Sequence, residues 1–420
     1  MRLRVTGRIT EARCEWLRSL GRLGTDMGLS VYLVGGPVRD LILGRTTLDT
    51  DIAVEGDAGA LARALAERNG AQITLHPAFG TAVLYYDDGR HLDVARTRCE
   101  HYCHPGALPE VAPAGLKDDL HRRDFTINAM AMDLSPGAFG SLFDPYDGYS
   151  HLRRGVLASL HEDSFYDDPT RVLRAARFAS RLTLRLTEKT HHSLQQSVRG
   201  GCMDTVSRQR LLTELWYLLA DANPRGAIER LSRWGAAEWL GLPDNVVECA
   251  RRLDTIPAAC RALGFATSDT EVRARAALAL CFNDSETAAA WVRIWPVSNS
   301  RNEAVKRAAD MAHDPPAVLF SKTLQNSKLY DVLSGCPRAA IVALWVMADT
   351  RVRAQLQHFA HHLAGAGADI TGEDLCELGY TPGPAFRRAL RAALEAKLDC
   401  EADREEQLAA ARRMLDPDSS

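Results

Sequence analysis

The stretch VYLVGGPVRDLILGRTTLDTDIAVEG, Val31 to Gly56, reads as a short buried strand stopped by two glycines, then DLILG, then a second apolar strand entered through two aspartates. Gly35 and Gly36 let the backbone approach a ligand closely, and Arg39 is placed to meet a phosphate bidentately. Beyond Asp40, Asp49 and Asp51 are two residues apart. That spacing puts both carboxylates on one face of a strand, roughly 6 to 7 Å apart. Unpaired carboxylates in an apolar strand are costly unless a cation offsets them, so the pair suits hard divalent ions shared with substrate phosphates. Asp93, in the strand-like HLDVA, is a candidate third carboxylate if its strand lies beside theirs.

Outward from this segment, residues 1 to about 28 read as one amphipathic helix, and ALARALAERNG reads as a helix with Gly70 at its C-cap. TAVLYYDD and RHLDVART read as strands flanking the turn Asp88-Gly89. The first 145 residues therefore alternate strand and helix as a small α/β domain does. From about Arg153 the pattern becomes almost wholly helical, with no fixed-period repeat, so the fold class is α/β followed by α.

Composition bounds the function. The 420 residues are 46% hydrophobic and 25% charged, which excludes a disordered chain. The longest apolar run, AAIVALWVMA from Ala339 to Ala348, is too short to cross a bilayer and reads as a buried helix. The charged N-terminal MRLRVTGRITEARCEW lacks the apolar stretch of a secretory signal, so a cytoplasmic location is expected. With 51 Lys and Arg against 54 Asp and Glu the net charge is −3, and a nucleic-acid partner must be held by a local basic face. The ten cysteines are expected as free thiols; CEHYCH, Cys99 to His104, has ligand-like spacing, but no second pair completes a zinc site.

Two further stretches carry chemistry. In DDLHRRDFTINAMAMDL, Asp118 to Leu134, Arg122, Arg123 and Asp124 precede an apolar run that reads as helical. Arg123 and Asp124 there form either an ion pair offered to a ribose or a salt-bridged helix start. In SFYDDPTRVLRAARFASRL, Ser164 to Leu182, Pro169 marks the first turn of a helix. Arg171, Arg174, Arg177 and Arg181 then share an arc of about 120°, and such a stripe repels itself unless it binds an anion such as a polyphosphate or an RNA backbone. Asp167, Asp168 and Arg171 place carboxylate and guanidinium side by side, a match for the edge of a nucleobase or a surface salt bridge.

Together and in this order, the stretches resemble the bacterial class II tRNA nucleotidyltransferases, which comprise CCA-adding enzymes, A-adding enzymes and poly(A) polymerases. Motif A of that family is matched by Gly35, Gly36, Arg39, Asp40, Asp49 and Asp51, and motif B, RRDFTxNA, from Arg122 to Ala129, including Asn128. FDPYDGYSHL, Phe143 to Leu152, resembles motif C. Motif D, EDxxR in the family, stands as DDPTR, with Asp167 replacing a glutamate; motif E resembles SRQRLLTEL, with Arg210 and Glu214 at helical spacing as a structural pair. The similarity runs over about residues 30 to 215.

The resemblance implies a polymerase-β-like palm or head over residues 1–145, a helical neck for base recognition over 146–205, a helical body over 206–300 and a tRNA-binding tail over 301–420. It implies that Asp49 and Asp51 hold two Mg2+ ions, with Asp93 as a third catalytic carboxylate. Gly36, Arg39, Arg174 and Arg177 would bind the triphosphate of ATP or CTP, Arg123 and Asp124 the ribose, and Asp168 and Arg171 the base, with Gly35, Asp40, Asn128 and Asp167 also in the nucleotide site. The partners implied are tRNA, at its 3′ end and its acceptor and elbow region, and nucleoside triphosphates. The segment from Ile370 to Gln407 is similar to the tail of long bacterial members, and Pro384 there opens a helix whose N–H groups suit an RNA phosphate. No HD dipeptide of a phosphohydrolase domain stands between Ile370 and Gln407. The long segment between Asp93 and motif B looks like the full-length mobile loop of enzymes that add the terminal A. No basic extension typical of poly(A) polymerases precedes the final LDPDSS. The order of expectation is CCA addition, then A addition, then poly(A) synthesis, with a non-catalytic RNA-binding protein as the rival class. The middle region is otherwise uninformative, and Trp216, Trp234 and Trp239 read as core.

Overall fold

Strand and helix alternate through the first third of the chain in a computed structural model that describes Leu3, residues 9–45 and residues 50–416. Asp49 lies outside the described residues. In chain order the elements are α1 (Glu11–Asp26), β1 (Ser30–Val34), α2 (Gly36–Leu43), β2 (Asp51–Glu55), α3 (Ala58–Asn69), β3 (Gln72–His76), β4 (Thr81–Tyr85) and β5 (His91–Arg96). They continue with β6 (Arg98–His101), β7 (Glu110–Pro113), α4 (Leu116–His121), β8 (Ala131–Asp133) and β9 (Leu142–Phe143). One seven-stranded mixed sheet runs in the order β3-β4-β5-β2-β1-β8-β9, and only its β2 and β5 pair in parallel. Ile52, Val54, Leu84, Leu92 and Val94 point into its core and are almost wholly buried.

Gly70 ends α3 in the left-handed conformation, as its position predicts. The first helix begins later than its pattern suggests, at Glu11, because Thr10 turns extended and its hydroxyl accepts from Arg13 N. Motif B is not helical after its charged trio. Thr126–Asn128 form one 3-10 turn, and Ala131–Asp133 become β8 beside β1. A short, fully buried apolar run carries no period that separates helix from strand, and here the open edge of β1 takes it. The loop before motif B is in part a hairpin: β6 and β7 pair in antiparallel fashion, and Gly106 at its tip donates to Tyr166 O at 3.2 Å. Cys99 and Cys103 in that hairpin are exposed thiols.

Five helices follow: α5 (Gly148–Arg153), α6 (Ser164–Asp167), α7 (Thr170–Arg181), α8 (Glu188–Arg199) and α9 (Arg208–Ala220). The chain divides into two compact units, residues 1–211 with 233–236 and residues 212–232 with 237–420. Among the described residues the second unit has no strand. Its helices Thr270–Leu280, Asn299–His313 and Arg338–Met347 pack together through small buried residues such as Ala277, Ala308 and Ala343. The apolar run beginning at Ala339 is that buried third helix, and among the described residues no single helix is long and apolar enough to cross a membrane. Trp216 is buried and Trp234 and Trp239 are half-buried. Pro384 opens the helix Pro384–Cys400, which packs with Arg404–Leu415 around Leu375, Ala389, Ala393 and Ala411.

Candidate active site

Motif A, motif B and α7 converge on one cavity of about 460 Å³. It is lined by Gly35, Gly36, Arg39, Asp51, Glu100, Tyr102, Arg122, Arg123, Asp124, Asn128, Asp168, Arg171, Arg174, Arg177, Phe178 and Arg181. Seven arginines face four carboxylates there, so the lining carries an excess of positive charge suited to a polyanion. Asp40 and Asp167 are not among the lining residues, and Asp93 stands beside the cavity in the sheet. Asp51 and Asp93 are direct register partners on the parallel strands β2 and β5, and Asp93 N donates to Thr50 O at 3.0 Å. Two hard-oxygen donors thus sit on adjacent strands, whose backbones lie about 5 Å apart. Among the described residues no cluster of three or more metal-binding side chains occurs, and Asp49, the further carboxylate, lies outside them.

Gly35 adopts φ 72°, ψ −130°, and a Cβ there would stand 2.7 Å from Arg123 Nη1. Gly35→Ala is therefore expected to lower stability by on the order of 1–3 kcal/mol, read from the denaturant midpoint. An unshifted midpoint would refute the strain.

A buried chain of polar groups runs from motif A to α7. Arg39, 4% exposed, donates Nε and Nη2 to Asp40 at 2.9 and 3.0 Å and Nη1 to Asn128 Oδ1 at 2.6 Å. Its fork is thus engaged by Asp40, since a buried guanidinium needs a partner. Asn128 Nδ2 donates to Asp124 Oδ1 at 2.9 Å, and Arg174 donates Nε and Nη2 to Asp124 Oδ2 at 2.9 and 2.6 Å. Burial alone would raise the Asp124 carboxyl, but Arg174 and the Asn128 amide hold it at about 2. Arg123 does not pair with Asp124; its Nη2 reaches Asp119 Oδ2 at 3.0 Å while its Nε is buried without a partner.

Asp168 takes all its internal contacts on one oxygen. Oδ1 accepts from Thr170 N and Oγ1 at 3.1 and 2.6 Å and pairs with Arg210 Nη2 at 2.9 Å, and the residue lines the cavity. Arg171, 4% exposed, is anchored by Nη1 to Ser164 Oγ at 2.6 Å and by Nη2 to the Arg122 carbonyl at 2.7 Å. Arg210 also donates Nη1 to Gly106 O at 3.0 Å, which ties Asp168 to the hairpin tip. Glu214 lies one turn further along α9. Asp167 turns toward His161, 3.7 Å away, and burial raises its carboxyl against the pull of Arg171.

His161 stacks on His121 with ring centroids 5.5 Å apart. Burial first, then Arg171 and His121, depress its imidazole to about 4 from the usual 6.5. Because the unfolded chain takes up a proton below pH 6.5 that the folded one refuses until about 4, stability is lost as pH falls through that window. His161→Gln is expected to flatten the stability profile between those limits; an equally steep profile would contradict it.

Asp119 and Glu100 escaped the sequence reading. Asp119, buried, accepts from Arg122 and Arg123, and Glu100 pairs with Arg98 and Arg122 at 3.0 and 2.9 Å. The i+3 and i+4 spacing of Asp119 to the two arginines was the available signal. Motif C acts as a brace: Asp144 accepts from Gly148 N and Tyr149 N, and a Cβ at Gly148 would stand 2.2 Å from Thr126 O.

This fold and cavity define a mixed-sheet head whose arginine-rich cavity suits a polyanion, with helices after it. Residues 31–158 match the family model described as the Poly A polymerase head domain. The chain is 36% identical over 415 residues to the A-adding tRNA nucleotidyltransferase of Geobacter sulfurreducens, which covers 95% of this chain and only 47% of that protein. It therefore spans about half the length of that relative. To the A-adding tRNA nucleotidyltransferase of Halalkalibacterium halodurans it is 30% identical over 395 residues, 91% of this chain and 88% of the relative. Among solved structures it superposes on the CCA-adding enzyme of Thermotoga maritima complexed with tRNA with a TM-score of 0.68 at 29% identity, covering 99% of each chain. On an apo form of a CCA-adding enzyme the TM-score is 0.72 at 31% identity, covering 96% of each. The chain belongs to the tRNA nucleotidyltransferase family.

Proposed function

We propose that this chain adds nucleotides to the 3′ end of tRNA from CTP and ATP without a nucleic-acid template, completing CCA. The observation that carries the reading is that Asp168, bonded internally through Oδ1, and the anchored Arg171 line the same arginine-rich cavity. Cytosine and adenine each carry an exocyclic amino donor where uracil and guanine carry a carbonyl oxygen. A free carboxylate oxygen accepts from the first two and repels the last two. Asp167 is set back against His161, so in this reading it supports the template from behind.

In the reaction the RNA 3′ oxygen attacks the α-phosphorus and the bond to pyrophosphate breaks. The donor set of Asp51 and Asp93, with Asp49, fits Mg2+, and two such ions would supply activation of the 3′-OH and neutralisation of the leaving pyrophosphate. Arg174, Arg177 and Arg181 face the triphosphate from α7. Arg39 and Asn128 hold Asp124, and through it Arg174, in place. Arg123, over Gly35, and Asp124 orient the ribose. The second unit, including the tail, takes the body of the tRNA.

A second reading, addition of the terminal A alone, is favoured by the names of the Geobacter and Halalkalibacterium relatives. Label incorporation from each single nucleoside triphosphate, on tRNA ending before CCA, on tRNA ending in CC and on an unstructured RNA, separates them. CTP incorporation on the shortest tRNA supports full CCA addition. ATP alone, used only on the CC-ending tRNA, makes the chain an A-adding enzyme, and ATP runs on the unstructured RNA would contradict both.

A further inference from the structure

Arg13 belongs to α1, outside every stretch that carries the family resemblance, yet it reaches the residue that precedes Asp51. Its Nη2 donates to the Thr50 hydroxyl at 2.9 Å. Thr50 is 2% exposed and stands in sequence between Asp49 and Asp51. Its carbonyl accepts from Asp93 N at 3.0 Å. One buried residue is thereby bonded through its backbone to the strand of one carboxylate, flanked in sequence by the other two, and held through its side chain by a helix.

That helix is a firm support. Leu17 and Leu20 are buried, and a Cβ at Gly21 would stand 1.7 Å from Leu134 O, so α1 lies with its backbone directly on the end of β8. Thr10 caps α1 at Arg13 N, which fixes the turn from which the Arg13 side chain leaves. A guanidinium that donates to a buried hydroxyl in a charge-assisted hydrogen bond resists displacement of the strand entry more than a neutral contact does.

We propose that Arg13 is a positioning residue of the cation site: by holding the Thr50 hydroxyl it sets the direction in which the adjoining Asp51 is presented. The inference rests on the reading of these aspartates as Mg2+ ligands. Partners one layer behind metal ligands typically contribute about 10–100-fold to metal affinity. A contact one residue removed belongs at the lower end of that range.

The test is a Mn2+ titration of the full chain followed by electron paramagnetic resonance, with Arg13→Met, Thr50→Val, the double variant and Thr50→Ser. Arg13→Met and Thr50→Val are each expected to weaken Mn2+ binding on the order of tenfold. The double variant is expected to lose less than the product of the two single losses, since both substitutions remove that one bond. Thr50→Ser keeps the hydroxyl and is expected to bind as the unaltered chain does. The Mg2+ concentration for half-maximal incorporation should rise in step, with a smaller change in the rate at saturating Mg2+. Circular dichroism melts identify any variant whose fold has failed, and in that case Thr50→Ser against Thr50→Val decides. Unaltered chain that binds no Mn2+ overturns the metal reading and this inference with it. Unaltered chain that binds, with Arg13→Met and Thr50→Val binding equally well, or with their losses multiplying in the double variant, overturns the inference alone.

Discussion

Asp51→Asn is expected to cut single-turnover nucleotide incorporation by on the order of 10³-fold or more while leaving tRNA affinity within about twofold, because a metal-held phosphoryl transfer draws several kcal/mol of transition-state stabilisation from its charged ligands. Asp51 opens β2 directly opposite Asp93 on β5, so the change removes one charge of a pair and keeps the side chain's shape. The residue lines the arginine-rich cavity within the first compact unit, which is why tRNA affinity should hold. Asp93→Asn should fall in the same direction. Retained turnover in Asp51→Asn would remove the assignment of these carboxylates to the reaction.

Asp168→Ala is expected to lose discrimination among the four nucleoside triphosphates before it loses nucleotide binding. A bidentate contact to a base edge contributes about 1–3 kcal/mol of discrimination, which corresponds to a drop in the preference for CTP and ATP over UTP and GTP of roughly 5- to 150-fold. The triphosphate retains Arg174, Arg177 and Arg181, so KM for ATP should change less than selectivity. The substitution also releases Arg210, which pairs with Asp168 Oδ1 and holds Gly106 O. Arg210→Gln separates the two effects: it leaves the Asp168 carboxylate in the cavity, and selectivity should persist in it. Unchanged discrimination in Asp168→Ala, measured as kcat/KM for each of the four, would refute the template.

Most of the site was legible in the sequence because its chemistry is written in short stretches of unambiguous residue type. Two glycines after an apolar strand, carboxylates at strand spacing and arginines at helical spacing each constrain a local geometry, and the cavity brings them together. What escaped depends on partners distant in sequence. Arg39 lines the cavity, and its bond to Asn128 Oδ1 joins residues so far apart in the chain that no local pattern shows it. Arg123 and Asp124 are adjacent in the chain yet turn to different partners, Asp119 and Arg174, because one side chain faces α4 and the other α7. The strand β8 was hidden in an apolar run whose only distinguishing feature is the open edge of β1. Arg13 carried no local signal at all, since its meaning depends on where α1 lies against Thr50.

This one cavity is expected to build a defined tRNA 3′ end without a template, and the intact mass of the RNA product reads that out. Purified tRNA ending before CCA, incubated with the chain, Mg2+, CTP and ATP, is predicted to gain two C residues and one A and then stop, with no gain for Asp51→Asn. A product unchanged in mass on this tRNA and on tRNA ending in CC, with any nucleoside triphosphate, would contradict the account.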